Sequence, residues 1–142
     1  MDYDLLTFGL AFAGYLLLCS EVVLRAGGRA VPGSSLLLAA VVATHVACVW
    51  SFRFGGSFDL AYSGREPGFF LFHGALLLIV TAPFVERRWT DRLLGVAFVI
   101  VSLGAIGASF KYEVVSILRL PVVAACLATG VAAPLGYRQR HR

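Results

Sequence analysis

Five apolar stretches, separated by short segments that carry almost all of the charge, constrain this chain more than any other feature. They run from Leu5 to Leu24, Ser34 to Phe52, Gly68 to Val85, Leu93 to Phe110, and about Val114 to Gly136. A helix that crosses a bilayer needs roughly 20 mostly apolar residues, because about 30 Å of hydrocarbon is traversed at about 1.5 Å per residue. Each stretch comes close to that length. None alternates apolar and polar residues as a barrel strand does, and backbone polar groups in hydrocarbon must be satisfied within the segment, so helix is the expected form. The 142 residues are therefore expected to be all-α: an integral membrane helical bundle of five transmembrane helices, forming one polytopic domain over residues 1–142. Composition closes off the alternatives. Charged residues make up 14%, against about 25% in a soluble domain. The net charge of +4 comes from scattered Arg residues in a chain that is 59% hydrophobic, which excludes a disordered or nucleic-acid-binding chain.

Orientation follows from the basic residues, since short basic loops stay in the cytoplasm. One set of flanks holds Arg25, Arg29, Arg87, Arg88, Arg92, Arg138, Arg140 and Arg142. The other holds Arg53, Arg65 and Lys111, with Arg119 added if it reaches the interface, and includes the N-terminus with Asp2 and Asp4. Eight against four predicts the N-terminus outside and the C-terminus in the cytoplasm. The acidic start argues against a cleaved signal, and Leu18 stands where a lipoprotein site before Cys19 needs a small residue. Cys19, Cys48 and Cys126 all fall inside spans, where a free Cys behaves as a small apolar residue. In the last span Pro121 closely follows Arg119 and is expected to bend it; an alternative start at Leu120 lays Lys111 to Arg119 along the outer interface.

Helices in a bilayer pack by close approach across small residues. Candidate ridges are Gly9 and Ala13 in the first span, Ala39, Ala43 and Ala47 in the second, and Gly104 and Ala108 in the fourth, with Gly95, Ser102 and Ser109 at heptad spacing. The last span has Ala124, Ala128 and Ala132 beside Ala125, Thr129 and Ala133. The short turn at Lys111 to Glu113 is expected to set the fourth and fifth helices side by side. Arg53 to Pro67 reads as the longest outside loop, with Phe54, Phe58 and Tyr62 as interfacial anchors.

Ionisable residues inside a membrane are costly and mark candidate sites. Here they are Glu21, His45, His73 and Arg119. Glu21 has Arg25 four residues later on the same face, so the pair is expected to neutralise itself near the headgroups. His45 and His73 lie on consecutive helices at depths of about 10 Å and about 8 Å, and Arg119 at about 8 Å completes an outer polar layer. Two imidazoles on facing helices are the donor set of a b-type haem, with Arg119 or Arg53 as propionate partner and Phe69, Phe70, Leu76, Leu77 and Val80 as apolar wall. His45, His73 and Arg119 are thus the candidate cofactor site, and His45 and His73 the candidate metal ligands. The more ordinary use of such a His is a hydrogen bond to a neighbouring carbonyl or hydroxyl, for which Thr44 and Ser63 are at hand. His45 and Cys48 have chelating spacing, but no second cluster accompanies them.

No Gly-x-Ser-x-Gly, P-loop or HExxH motif occurs, so no reaction is named. The basic segments ERRWTDR and YRQRHR are explained by headgroup contact, with Trp89 in the interfacial belt. Lys111 is the single Lys among 12 basic residues, and that bias, with abundant Ala, Val, Leu and Gly, looks bacterial. The leading expectation is a small inner-membrane accessory or assembly subunit of a larger complex, or a homo-oligomer, with other membrane subunits or itself as partner. A haem b electron-transfer subunit and a small transporter or lipid-handling protein are the alternatives.

Overall fold

The computed structural model describes residues 3–62 and 66–140. Asp2, Ser63, Gly64, Arg65 and Arg142, which enter the expectations above, lie outside the described residues, as do the side chains of Asp4, Glu66, Pro67 and Arg140. Among the described residues there is no strand, and every apolar stretch is helical. The helices are α1 (Tyr3–Ala26), α2 (Ser34–Cys48), α3 (Phe58–Tyr62), α4 (Glu66–Thr81), α5 (Arg87–Lys111) and α6 (Arg119–Arg140). Four segments, Leu5–Ala26, Ser34–Arg53, Arg87–Lys111 and Glu113–Gln139, are long and apolar enough to cross a membrane; Phe69–Phe84 is a shorter apolar helix.

Local sequence explains most boundaries. Helix α1 stops at a glycine pair: Gly28 takes φ 78°, its N–H bonds to Arg25 O at 2.9 Å, and Arg29 N–H reaches back to Leu24 O at 2.8 Å. Those are the two bonds of a Schellman motif, which only a residue tolerant of positive φ closes cheaply. Helix α2 continues through a π-helical turn, Val49–Arg53, and ends at Gly55 and Gly56, both at positive φ. Helix α4 tightens into a 3-10 turn, Ala82–Phe84, where Pro83 removes a donor. Thr90 then ties that turn to α5 by donating to Ala82 O at 2.8 Å.

The structure refines three expectations. The fourth helix begins at Arg87, six residues before Leu93, so the ERRWTDR segment forms its opening turns and is not a loop. The segment expected as the outside loop contains α3, whose aromatic residues also pack together: Phe58 stacks on Tyr62 with centroids 5.8 Å apart, and Phe69 meets both edge-on. In the last span Pro121 lies at the start of the α-helix and not in its interior. A 3-10 stretch, Glu113–Leu118, leads into α6, and Pro121 sits in the first α-helical turn, where its missing N–H has no intrahelical acceptor anyway.

The long helices form a ring in the order α1, α2, α4, α5, α6, closed by α6 on α1, with α1 and α5 also touching across it. As expected, α5 and α6 are neighbours. Close approach falls at particular glycines. A Cβ on Gly104 would stand 2.8 Å from the Phe72 ring, joining α4 to α5, and one on Gly136 would stand 3.0 Å from the Gly27 nitrogen, joining α6 to the end of α1. The core is thin, centred on Leu18, Leu38, Ile79 and Leu94. Its exterior is apolar: Leu77, Leu103 and Leu127 are each more than 60% exposed. Meanwhile Thr7, Glu21, Arg25, Thr90, Ser102, Ser109 and Thr129 are buried. Apolar outside and polar groups inside is the pattern that suits a hydrocarbon solvent.

Candidate functional site

The polar layer expected from His45, His73 and Arg119 divides among separate partners. The His45 ring, half-buried on α2, donates from Nδ1 to the Thr7 carbonyl on α1 at 3.0 Å. His73 lies exposed on α4, donates from Nδ1 to the Phe69 carbonyl of its own helix at 2.8 Å, and stacks on the Phe69 ring with centroids 4.0 Å apart. Arg119 caps the end of α5, donating from Nε to Ser109 O at 2.7 Å with its guanidinium 5.4 Å from the Phe110 centroid. The cavity beside His45 has a volume of about 50 Å³, and its α4 wall is Phe72, Leu76 and Ile79, a different face of that helix from His73. Pockets that take organic ligands run to about 300–1,000 Å³. His73 does not line the cavity that His45 lines, and Arg119 is bonded elsewhere, to the Ser109 carbonyl. Among the described residues no group of three or more His, Cys, Asp or Glu side chains stands ready for a metal ion.

Halfway along the bundle, hydroxyls and thiols replace apolar contacts between α1, α5 and α6. The Tyr15 hydroxyl shares a buried hydrogen bond with Ser102 at 3.0 Å. Cys19 lies beside Thr129 and Tyr15, with Cys126 close by. Such pairings fix helix rotation more than they add stability, each being worth on average about 0.6 kcal/mol in a membrane.

The most concentrated polarity lies at the opposite end from His45. Arg25, in the last turn of α1, is 8% exposed, and Glu21, one turn earlier, is 3% exposed. Arg25 donates from Nε to Glu21 Oε2 at 2.6 Å, from one terminal nitrogen to Asp91 Oδ1 of α5 at 3.1 Å, and from the other to Ser35 Oγ of α2 at 3.3 Å. One planar guanidinium therefore joins three helices, which its rigid fork of donors allows and a lysine could not reproduce. Glu21 Oε1 is buried without a hydrogen-bond partner. The expected self-neutralised pair exists, but it is turned into the bundle and does not reach for headgroups. Hydropathy starts this span at Leu93 and so leaves Asp91 outside it. Started at Arg87, the same sequence puts Asp91 one turn inside α5, on the end of the bundle that Arg25 occupies.

Next to this lock is an open cleft of about 390 Å³. Val22, Ala26 and Leu94 form its apolar floor, while Arg25, Arg88, Asp91, Arg92 and Tyr137 supply its polar wall. Arg88 pairs with Glu86 at 2.9 Å, both more than 70% exposed, and the Arg92 guanidinium lies 5.0 Å from the Trp89 centroid. Comparison with protein-family models, with curated proteins and with solved structures finds no match to this chain.

Proposed function

We propose that this protein is a small accessory or assembly subunit of the bacterial inner membrane, crossing it five times with the N-terminus outside and the C-terminus in the cytoplasm. It joins a helix of a neighbouring subunit, a second copy of itself included, through the outward face of α2. The observation that carries this reading is a stripe of small residues there. Ala40, Ala43, Thr44 and Ala47 are all exposed at helical spacing of three and four residues, and Thr44 turns its hydroxyl back to Ala40 O at 2.8 Å. The exposed faces of α4 and α5 carry Phe70, Leu71 and Leu77, and Val96, Val99 and Leu103. Large side chains fill the space beside lipid tails; small ones let a second backbone approach, the condition for association in a bilayer. Of the second-span ridge Ala39, Ala43 and Ala47, only Ala39 is used inside the chain, where it is 5% exposed.

Orientation rests on the eight basic residues in one set of flanks of the sequence. The test is the mass of the particle extracted from native membranes in a mild detergent. A mass of at least two chains, reduced to one by Ala43→Leu with helicity and thermal midpoint unchanged, supports the reading. A single-chain mass for the unaltered protein in gently extracted membranes overturns it.

A further inference from the structure

We propose that the cleft between the end of α1, the start of α5 and Tyr137 of α6 is a specific binding site for a phosphate group with an apolar neighbour, the chemistry of an anionic phospholipid headgroup. The site is built on the rigid lock already described and is independent of how the protein assembles. Arg25 and Asp91 face the cleft, but each is bonded to the other at 3.1 Å, so their charges are spent there. The cationic character falls to Arg88 and Arg92, one turn apart on α5, which approach the cleft from one side.

Both are available in a way that suits an incoming anion. Among the described residues Arg88 holds only an exposed surface pair with Glu86, the kind worth about 0–1 kcal/mol, which a phosphate would displace. Arg92 is laid on the Trp89 ring, a contact that orients the guanidinium without using its hydrogen-bond donors. The two sit in the first turns of α5, a helix of 25 residues whose N-terminal partial positive charge adds to theirs. Arginine matches a phosphate with paired donors in a plane, so two of them converging on one cleft give recognition and not merely attraction.

The rest of the cleft supplies selectivity for a phosphate that carries hydrocarbon. Val22, Ala26 and Leu94 make an apolar floor below the charged rim, and the volume of about 390 Å³ exceeds what a bare phosphate would fill. A diffuse basic surface has neither floor nor boundary. Arg29 and Arg138, at the same end of the bundle but outside the cleft, represent that diffuse surface.

The test is native mass spectrometry of the full chain from nanodiscs of phosphatidylcholine with one part in five phosphatidylglycerol. One retained phosphatidylglycerol per chain is expected, weakened about tenfold or more in Arg88→Gln/Arg92→Gln and unchanged in Arg29→Gln/Arg138→Gln. A second arm titrates millimolar glycerol 3-phosphate and inorganic phosphate against protein in lipid-free detergent, read by Trp fluorescence. Saturable binding in that arm that is lost in Arg88→Gln/Arg92→Gln supports the phosphate site and assigns a soluble source. Retention only in the lipid arm supports it and assigns the membrane. Equal retention of phosphatidylcholine, or equal losses in the two double variants, overturns the proposal. Circular dichroism confirms that both variants fold, since neither touches Arg25.

Discussion

Arg25 is the residue on which most of the interior polarity converges, and its energetics differ from those of the other charged groups. Removing one member of a buried ion network leaves the remaining charges unpaired, at about 3–5 kcal/mol. Arg25→Met is therefore expected to lower unfolding stability in detergent by that amount, because Glu21 and Asp91 lose their common donor. Asp91→Asn should cost about 1 kcal/mol, since its side chain is 30% exposed and water can replace the lost charge. Thermal or SDS-driven unfolding followed by circular dichroism measures both, and equal effects would show that Arg25 is not the centre of the network. The histidines separate in the same experiment. His45→Ala removes a hydrogen bond between helices and should cost about 1 kcal/mol, while His73→Ala, exposed and bonded within its own helix, should stay within about 0.5 kcal/mol.

Among the elements, backbone approach and capping decide which glycines matter. Gly104→Val is expected to destabilise by about 1–3 kcal/mol, because its first carbon would stand 2.8 Å from Phe72 and part α4 from α5. Gly28→Ala should cost about 1 kcal/mol through the positive φ of the α1 cap, whereas Gly95→Ala, with nothing within 4 Å, should be neutral or mildly stabilising. Chemical or thermal unfolding of the three variants ranks them directly. These positions also mark how far the sequence was legible. The apolar runs located every long helix, because length and hydropathy depend only on local composition. Helix starts were less legible: Arg87 to Arg92 is charged, so hydropathy places it outside the span, yet helical hydrogen bonding does not stop where hydropathy does. Inward and outward faces were legible only in part: Gly104, Ser102 and Ser109 do fall on packed faces, but other ridges do not. The run Ala124 to Ala133 offers two equal ridges, and only the neighbouring helices determine that Thr129 is buried while Ala124 and Ala128 are exposed. For the same reason His45 and His73 read as a facing pair, although a rotation of one residue, about 100°, turns His73 away from the cavity that Phe72 lines.

For the whole molecule, the polar groups are gathered inside the helix ring and the large apolar ones outside, with the ion lock and the arginine cleft at one end and the aromatic cluster of α3 and α4 at the other. A bundle so arranged has little enclosed volume and much outward surface, so its work is expected at that surface. The stripe on α2, with four exposed small residues, is longer than Ala124 and Ala128 on α6 or Gly9 and Ala13 on α1, and it is the one the proposed contact uses. The direct measurement is cross-linking in intact membranes, with Cys19, Cys48 and Cys126 replaced by Ala and a single Cys placed either at Ala43 or at Leu103 of α5. Rapid, high-yield cross-linking from Ala43→Cys by a short bismaleimide is expected, with little from Leu103→Cys. Equal yields from the two positions would contradict it, because they would show that α2 meets lipid as α5 does.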